Sequence, residues 1–131
     1  MKYTYTAIFI PKEDGSGYLC RIPDLPGCIS SGNTLEEAID KITDAASVWL
    51  VDMEEDGEAA IIPTPQDKLV HENNAILSLI RVDTIAYRAA TDTRAVRKNV
   101  SLPAWMASLA DKKGINCSQV LQEGLLARFG A

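Results

Sequence analysis

Residues 34–55 read TLEEAIDKITDAASVWLVDMEE. Apolar side chains fall at Leu35, Ala38, Ile39, Ile42, Ala45, Ala46, Trp49, Leu50 and Met53. That spacing belongs to a helix with one buried stripe. Thr34, with Glu37 three residues on, forms a capping box: the hydroxyl accepts from the Glu37 amide and the carboxylate reaches back. The helix is expected to run to about Glu55, with Gly57 as its stop. One apolar stripe needs a layer to cover it, and the flanking sequence supplies strands.

Upstream, residues 2–10 alternate, with Tyr3, Tyr5, Ala7 and Phe9 on one face. β-Branched and aromatic types dominate, so a strand is expected, ended by Pro11. KEDGSG at 12–17 is turn chemistry, and residues 18–22 form the second strand of a hairpin. Pro23, Pro26 and Gly27 punctuate the exit, and residues 28–31 are a short third strand closed by Gly32. Downstream, Pro63 and Pro65 make an extended segment, and AILSLIRV at 75–82 reads as a fourth strand. The first module, residues 1–82, is thus β-β-β-α-β, an α+β arrangement of one sheet and one long helix. Burying Trp49, Ile39 and Ile42 at roughly 1.5–3 kcal/mol each supports a modest core.

Residues 83–93 show no clean period and are expected to be a linker, with at most a helical turn around Tyr87. The second module spans residues 94–131. RAVRKNVSL at 94–102 alternates: Val96, Val100 and Leu102 share one face with the stem of Lys98, and Arg97, Asn99 and Ser101 share the other. Pro103 suits the first position of a helix, where its missing N–H costs nothing. Trp105, Met106, Leu109 and Ala110 stripe that helix, and Gly114 suits its left-handed cap. Asn116 and Gln119 form a second capping box before a helix lined by Val120, Leu121, Leu125 and Phe129.

A strand and two helices in so short a module cannot bury themselves. A second chain pairing strand against strand gives a two-stranded antiparallel ribbon over four helices. Its outward face carries Arg97, Asn99 and Ser101 twice. Arginine donates to guanine, asparagine reads adenine, and a ribbon fits the major groove. The start of the last helix, Asn116, Cys117 and Ser118, offers amides to phosphate oxygens, and Lys98 can also touch phosphate.

The chain has 131 residues, 47% hydrophobic and 24% charged, which excludes disorder and low-complexity classes. No apolar run approaches a membrane span of about 20 residues, and no secretory signal is expected. Cys20, Cys28 and Cys117, with a single His71, lack metal-ligand spacing, so reduced thiols in a cytoplasm and no metal site are expected. Charge divides the chain. Residues 1–80 hold 5 Lys+Arg and 14 Asp+Glu, a balance of −9; residues 81–131 hold 8 and 4, a balance of +4. An acidic module attracts a basic surface, and a basic one attracts phosphates.

The run at 97–129, RKNVSLPAWMASLADKKGINCSQVLQEGLLARF, resembles the ribbon-helix-helix operator-binding proteins. Residues 5 to 67 resemble the HicB antitoxin family, most specifically in PDLPGC (23–28) and GNTLEEA (32–38), with IPTP later. The resemblance implies a truncated RNase H-like N-terminal domain without a nuclease site. That domain would bind and neutralise a HicA toxin, a small RNA-cleaving protein. The DNA-binding part would autorepress the operon. Dimers formed through the C-terminal module are further expected to associate into tetramers through the N-terminal domains. No catalytic residue and no cofactor is expected.

Glu54, Glu55 and Asp56 end the long helix, where negative charge opposes the helix dipole. They are the candidate toxin contacts, against the plainer reading of a solvated helix end. Two other readings remain open. A magnesium-dependent nuclease would use Asp24, Asp40 and Asp44. A stand-alone transcriptional regulator would sense a ligand through its N-terminal domain.

Overall fold

The computed structural model describes residues 1–130, so Ala131, the last residue of the expected second module, lies outside it. The chain divides into two compact units, one covering Lys2–Arg88 and the other from Ala89 onward.

In the first unit the strands β1 (Lys2–Pro11), β2 (Tyr18–Arg21), β3 (Ile29–Gly32) and β4 (Ile76–Asp83) form one sheet. Its order is β3-β2-β1-β4, and every neighbouring pair is antiparallel. β1 is the centre: Phe9 faces Cys20 on one side and Ile76 on the other. The helix α1 (Leu35–Glu55) follows β3 and covers one face. The alternation of β1 explains the layering. Tyr3, Tyr5, Ala7 and Phe9 meet Ala38, Ile42, Ala46, Leu50 and Met53 of α1 in the core, joined by Cys20, Ile22, Leu25, Cys28, Ile80 and Val82.

α1 begins as its sequence requires. Thr34 is extended, and its hydroxyl accepts from the Glu37 amide at 3.1 Å. The other half of the expected capping box does not form. The Glu37 carboxylate instead reaches forward to Lys41 at 3.4 Å, the favourable i,i+4 ion pair. Gly57 is left-handed (φ +69°), and the Glu58 amide returns to the Met53 carbonyl at 3.1 Å, ending α1 as expected. Gly32 serves packing. A Cβ there would stand 2.4 Å from the Ala38 amide nitrogen, because β3 passes directly over the first turn of α1.

Residues 84–91 form the helix α2 (Thr84–Thr91), more structure than a linker with one turn. The Asp83 carboxylate accepts from the amides of Ile85 and Ala86, both at 3.1 Å, which starts the helix. Thr84 is the buried residue of α2, and Ile85, Tyr87 and Arg88 are half-buried.

In the second unit, α3 (Ala104–Lys112) and α4 (Cys117–Phe129) stand where expected. Pro103 is the N-cap of α3, extended at φ −53° and ψ 140°, rather than its first helical residue. Asn116 accepts from the Gln119 amide at 3.2 Å; the Gln119 side chain bonds Glu123 rather than closing a box. Residues 92–103 carry no strand ladder in this single chain, where a strand was expected at 94–102. A strand is defined by the backbone it pairs with, and one chain offers none here.

Candidate functional site

Two regions hold the residues singled out from the sequence. The first is the C-terminal end of α1. Glu54 accepts at both carboxylate oxygens: from the Tyr3 hydroxyl at 2.7 Å, from the Thr84 hydroxyl at 2.9 Å and from Arg88 Nη2 at 3.1 Å. The second Arg88 nitrogen holds Glu55. Burial pushes the Glu54 carboxyl up. The bonds from Tyr3, Thr84 and Arg88 outweigh it and hold the group below its ordinary value. The same contact acts oppositely on Tyr3: burial, then the Glu54 carboxylate, raises its hydroxyl to about 12.

Glu54 and Glu55 are therefore tied within the chain, which the reading of a solvated helix end did not foresee. Asp56 is exposed and, with Trp49, Asp52, Met53 and Glu58, lines a shallow depression beside the helix end. The indole nitrogen of Trp49 donates to the Pro26 carbonyl at 3.0 Å. That bond ties α1 to the PDLPGC turn. No basic residue stands in the last turn of α1, although the dipole would favour one.

The three aspartates of the nuclease reading have separate surroundings. Asp24 accepts from Thr64 twice, from the amide at 2.8 Å and the hydroxyl at 2.6 Å, and so clamps the extended 61–65 segment. Asp40 and Asp44 are exposed on α1. Among the described residues no group of three His, Cys, Asp or Glu side chains converges as a metal site would need. His71 is exposed, with Nδ1 2.9 Å from the Glu72 carbonyl. Its neighbour Glu72 holds Arg21 through two bonds, 2.8 and 3.0 Å.

Cys20 and Cys28 are buried free thiols, and Cys117 is exposed. Burial raises both buried groups, Cys28 to about 11. Neither is poised as a nucleophile.

The second region is residues 92–118. Arg97, Lys98, Asn99 and Ser101 are all exposed. Asn116 uses its side-chain oxygen to cap α4, which leaves the Cys117 and Ser118 amides at the helix start without intrahelical partners. The apolar half of the expected ribbon is bare as well. Val96 is 88% exposed, Trp105 66% and Phe129 53%. No residue in 85–130 is buried.

Sequence reasoning missed Arg88, Thr84, Thr64 and Glu72. Each acts across 30 residues or more of chain, so no local pattern announces the pairing. The only local sign was Thr84 and Arg88 one turn apart.

The description that matches this chain, over residues 5–130, is that of a HicB-like antitoxin of a bacterial toxin-antitoxin system. Among solved structures, a Burkholderia pseudomallei antitoxin HicB is 26% identical, with 95% of this chain and 96% of that one covered, at a TM-score of 0.52. The N-terminal domain of a Burkholderia pseudomallei HicB is 30% identical over 63% of this chain and 99% of its own, also at 0.52. A toxin-antitoxin complex from Streptococcus pneumoniae shares the fold at a TM-score of 0.62 and 21% identity, covering 98% and 99%. The match runs through both units and nearly the whole sequence: this chain belongs to the HicB-like antitoxin family.

Proposed function

We propose that the chain is a non-enzymatic antitoxin and autorepressor. Its first unit binds and neutralises a HicA-type, RNA-cleaving toxin. Its C-terminal part forms a ribbon-helix-helix dimer on operator DNA. One observation carries the second half: residues 92–130 hold a complete set of apolar side chains and bury none of them. At about 25 cal/mol per Å² of apolar surface removed from water, such a surface favours association strongly. Pairing 94–102 with its copy supplies the missing ladder. It also separates Val96, Val100 and Leu102, turned to the helices, from Arg97, Asn99 and Ser101, turned to base edges. Lys98 and the start of α4 at Asn116, Cys117 and Ser118 then meet phosphates.

The balance of −9 over residues 1–80 fits a basic, RNA-binding partner. The exposed acids at the end of α1, Asp56 and Glu55 foremost, with Glu54 behind them, are the proposed contact. Two free thiols in the core fit a reducing cytoplasm. RNase H-like ancestry of the sheet remains a proposal carried by the resemblance, and neither binding role depends on it. Further association of dimers into tetramers through the first unit belongs to the same proposal.

The test is co-expression with the adjacent small reading frame, followed by promoter binding. A basic protein that co-purifies, and is toxic alone, supports the antitoxin role. A chain that binds its promoter but captures no partner overturns that role and leaves a stand-alone regulator.

A further inference from the structure

α2 is held in an unusual way for a helix of eight residues. So short a helix is marginal in water unless tertiary contacts support it. Its one buried residue is Thr84, with Ile85 and Tyr87 half-buried, and polar bonds tie it to the end of α1: Thr84 and Arg88 both bond the Glu54 carboxylate, and Arg88 also holds Glu55. The Arg88 side chain is 35% exposed; of its two partners Glu55 is 63% exposed and Glu54 17%, so the Glu55 pair is the one a partner reaches first. Partly exposed ion pairs of this kind are weak and exchange easily. α2 is also the segment through which the chain leaves for residues 92–103, which are exposed and irregular.

Arg88 thus occupies, from within, the acids that a basic partner would seek. We propose that this is a latch. While Glu54 and Glu55 hold Arg88, the Thr84–Arg88 part of α2 stays with the first unit. A cation of the docked toxin takes those carboxylates, Arg88 lets go, and α2 frays from its C-terminal end. The flexible joint then begins near residue 84 instead of 92. Toxin occupancy is thereby relayed to the reach between the two DNA-reading halves of a dimer. The switch rests on the antitoxin reading above; the hold on α2 in the free chain does not.

Hydrogen exchange on the full chain separates these parts. The variants are Arg88→Gln, which removes the charge, and Thr84→Val, which removes the hydroxyl with little change of shape. Each should speed exchange of the amides in 87–91 at least tenfold while β1 amides stay protected. Unchanged exchange in both variants overturns the latch. An inactivated copy of the toxin added to the wild-type chain should speed exchange in 87–91, and should add nothing to Arg88→Gln. The variant should also bind the toxin several-fold more tightly, because the internal competitor is gone. Protection or no change of α2 on toxin binding overturns the switch. A toxin that forms no complex with any variant overturns both the switch and the antitoxin reading, while the free-chain result still decides the latch.

Discussion

At Gly32 the backbone of β3 lies so near the first turn of α1 that a Cβ would sit 2.4 Å from one backbone atom and 2.8 Å from another. Neither neighbour is a flexible side chain. Gly32→Ala must therefore move β3 off the helix, and we expect a loss of about 1–3 kcal/mol in urea unfolding of the full chain. A variant as stable as the wild type would show that the β3–α1 contact gives way freely. The cysteines differ by position in the same fashion. Burial raises Cys28 to about 11 and raises Cys20 too, so few thiolates exist in the core at neutral pH. Alkylation of the native chain should modify the exposed Cys117 first, with the others reacting only on unfolding, as mass spectrometry of timed samples will report. Equal rates at Cys28 and Cys117 would mean that the edge near β3 opens often. For the proposed DNA face, Arg97→Ala and Asn99→Ala should each cost roughly 1–3 kcal/mol in operator binding at fixed salt. Variants binding as well as the wild type would remove these residues from the base-reading face.

Elements differ in how openly their sequences declare them, and energetics explains the difference. α1 is legible because its cap, its stripe and its stop are all local and all apolar or capping in kind. β1 is legible because β-branched and aromatic types fill it and Tyr3, Tyr5, Ala7 and Phe9 share the face that enters the core, although Thr6 and Ile8 between them are buried as well. α2 escapes because it is short and its polar ties to α1 are distant: Glu54 lies 30 residues from Thr84 and 34 from Arg88. The Asp24–Thr64 clamp escapes similarly, across 40 residues. The same polar hold gives α2 a pH dependence. Glu54 has a lower value folded than its ordinary 4.5, so its contribution is complete above that pH and is lost as the pH falls through the folded value. Amides of 87–91 should lose protection in acid before those of β1, followed by exchange at stepped pH below 4.5. Simultaneous loss would mean that Glu54 is not what secures α2.

At the scale of the molecule, the two units solve the folding problem differently. The first closes its own core, with Ala7, Phe9, Leu25, Ile42 and Leu50 wholly shielded. The second, in one chain, buries none of its described residues, and the apolar side chains of its two helices and of the alternating 94–102 segment fit the proposed dimer. That asymmetry predicts separable damage. Leu125, 41% exposed in one chain, lies on the apolar side of α4 with Leu121 and Phe129. Leu125→Asp would place a charge in the proposed dimer core, where desolvation is costly. Sedimentation equilibrium should show the variant losing the dimer, and operator binding should fall with it, because a lone strand presents no ribbon to the groove. Toxin capture should survive, since the first unit keeps its core. Loss of operator binding with the dimer intact would instead place Leu125 at the DNA contact. Loss of toxin capture as well would mean that the two units share one stability, and that the C-terminal association is needed for the chain to fold at all.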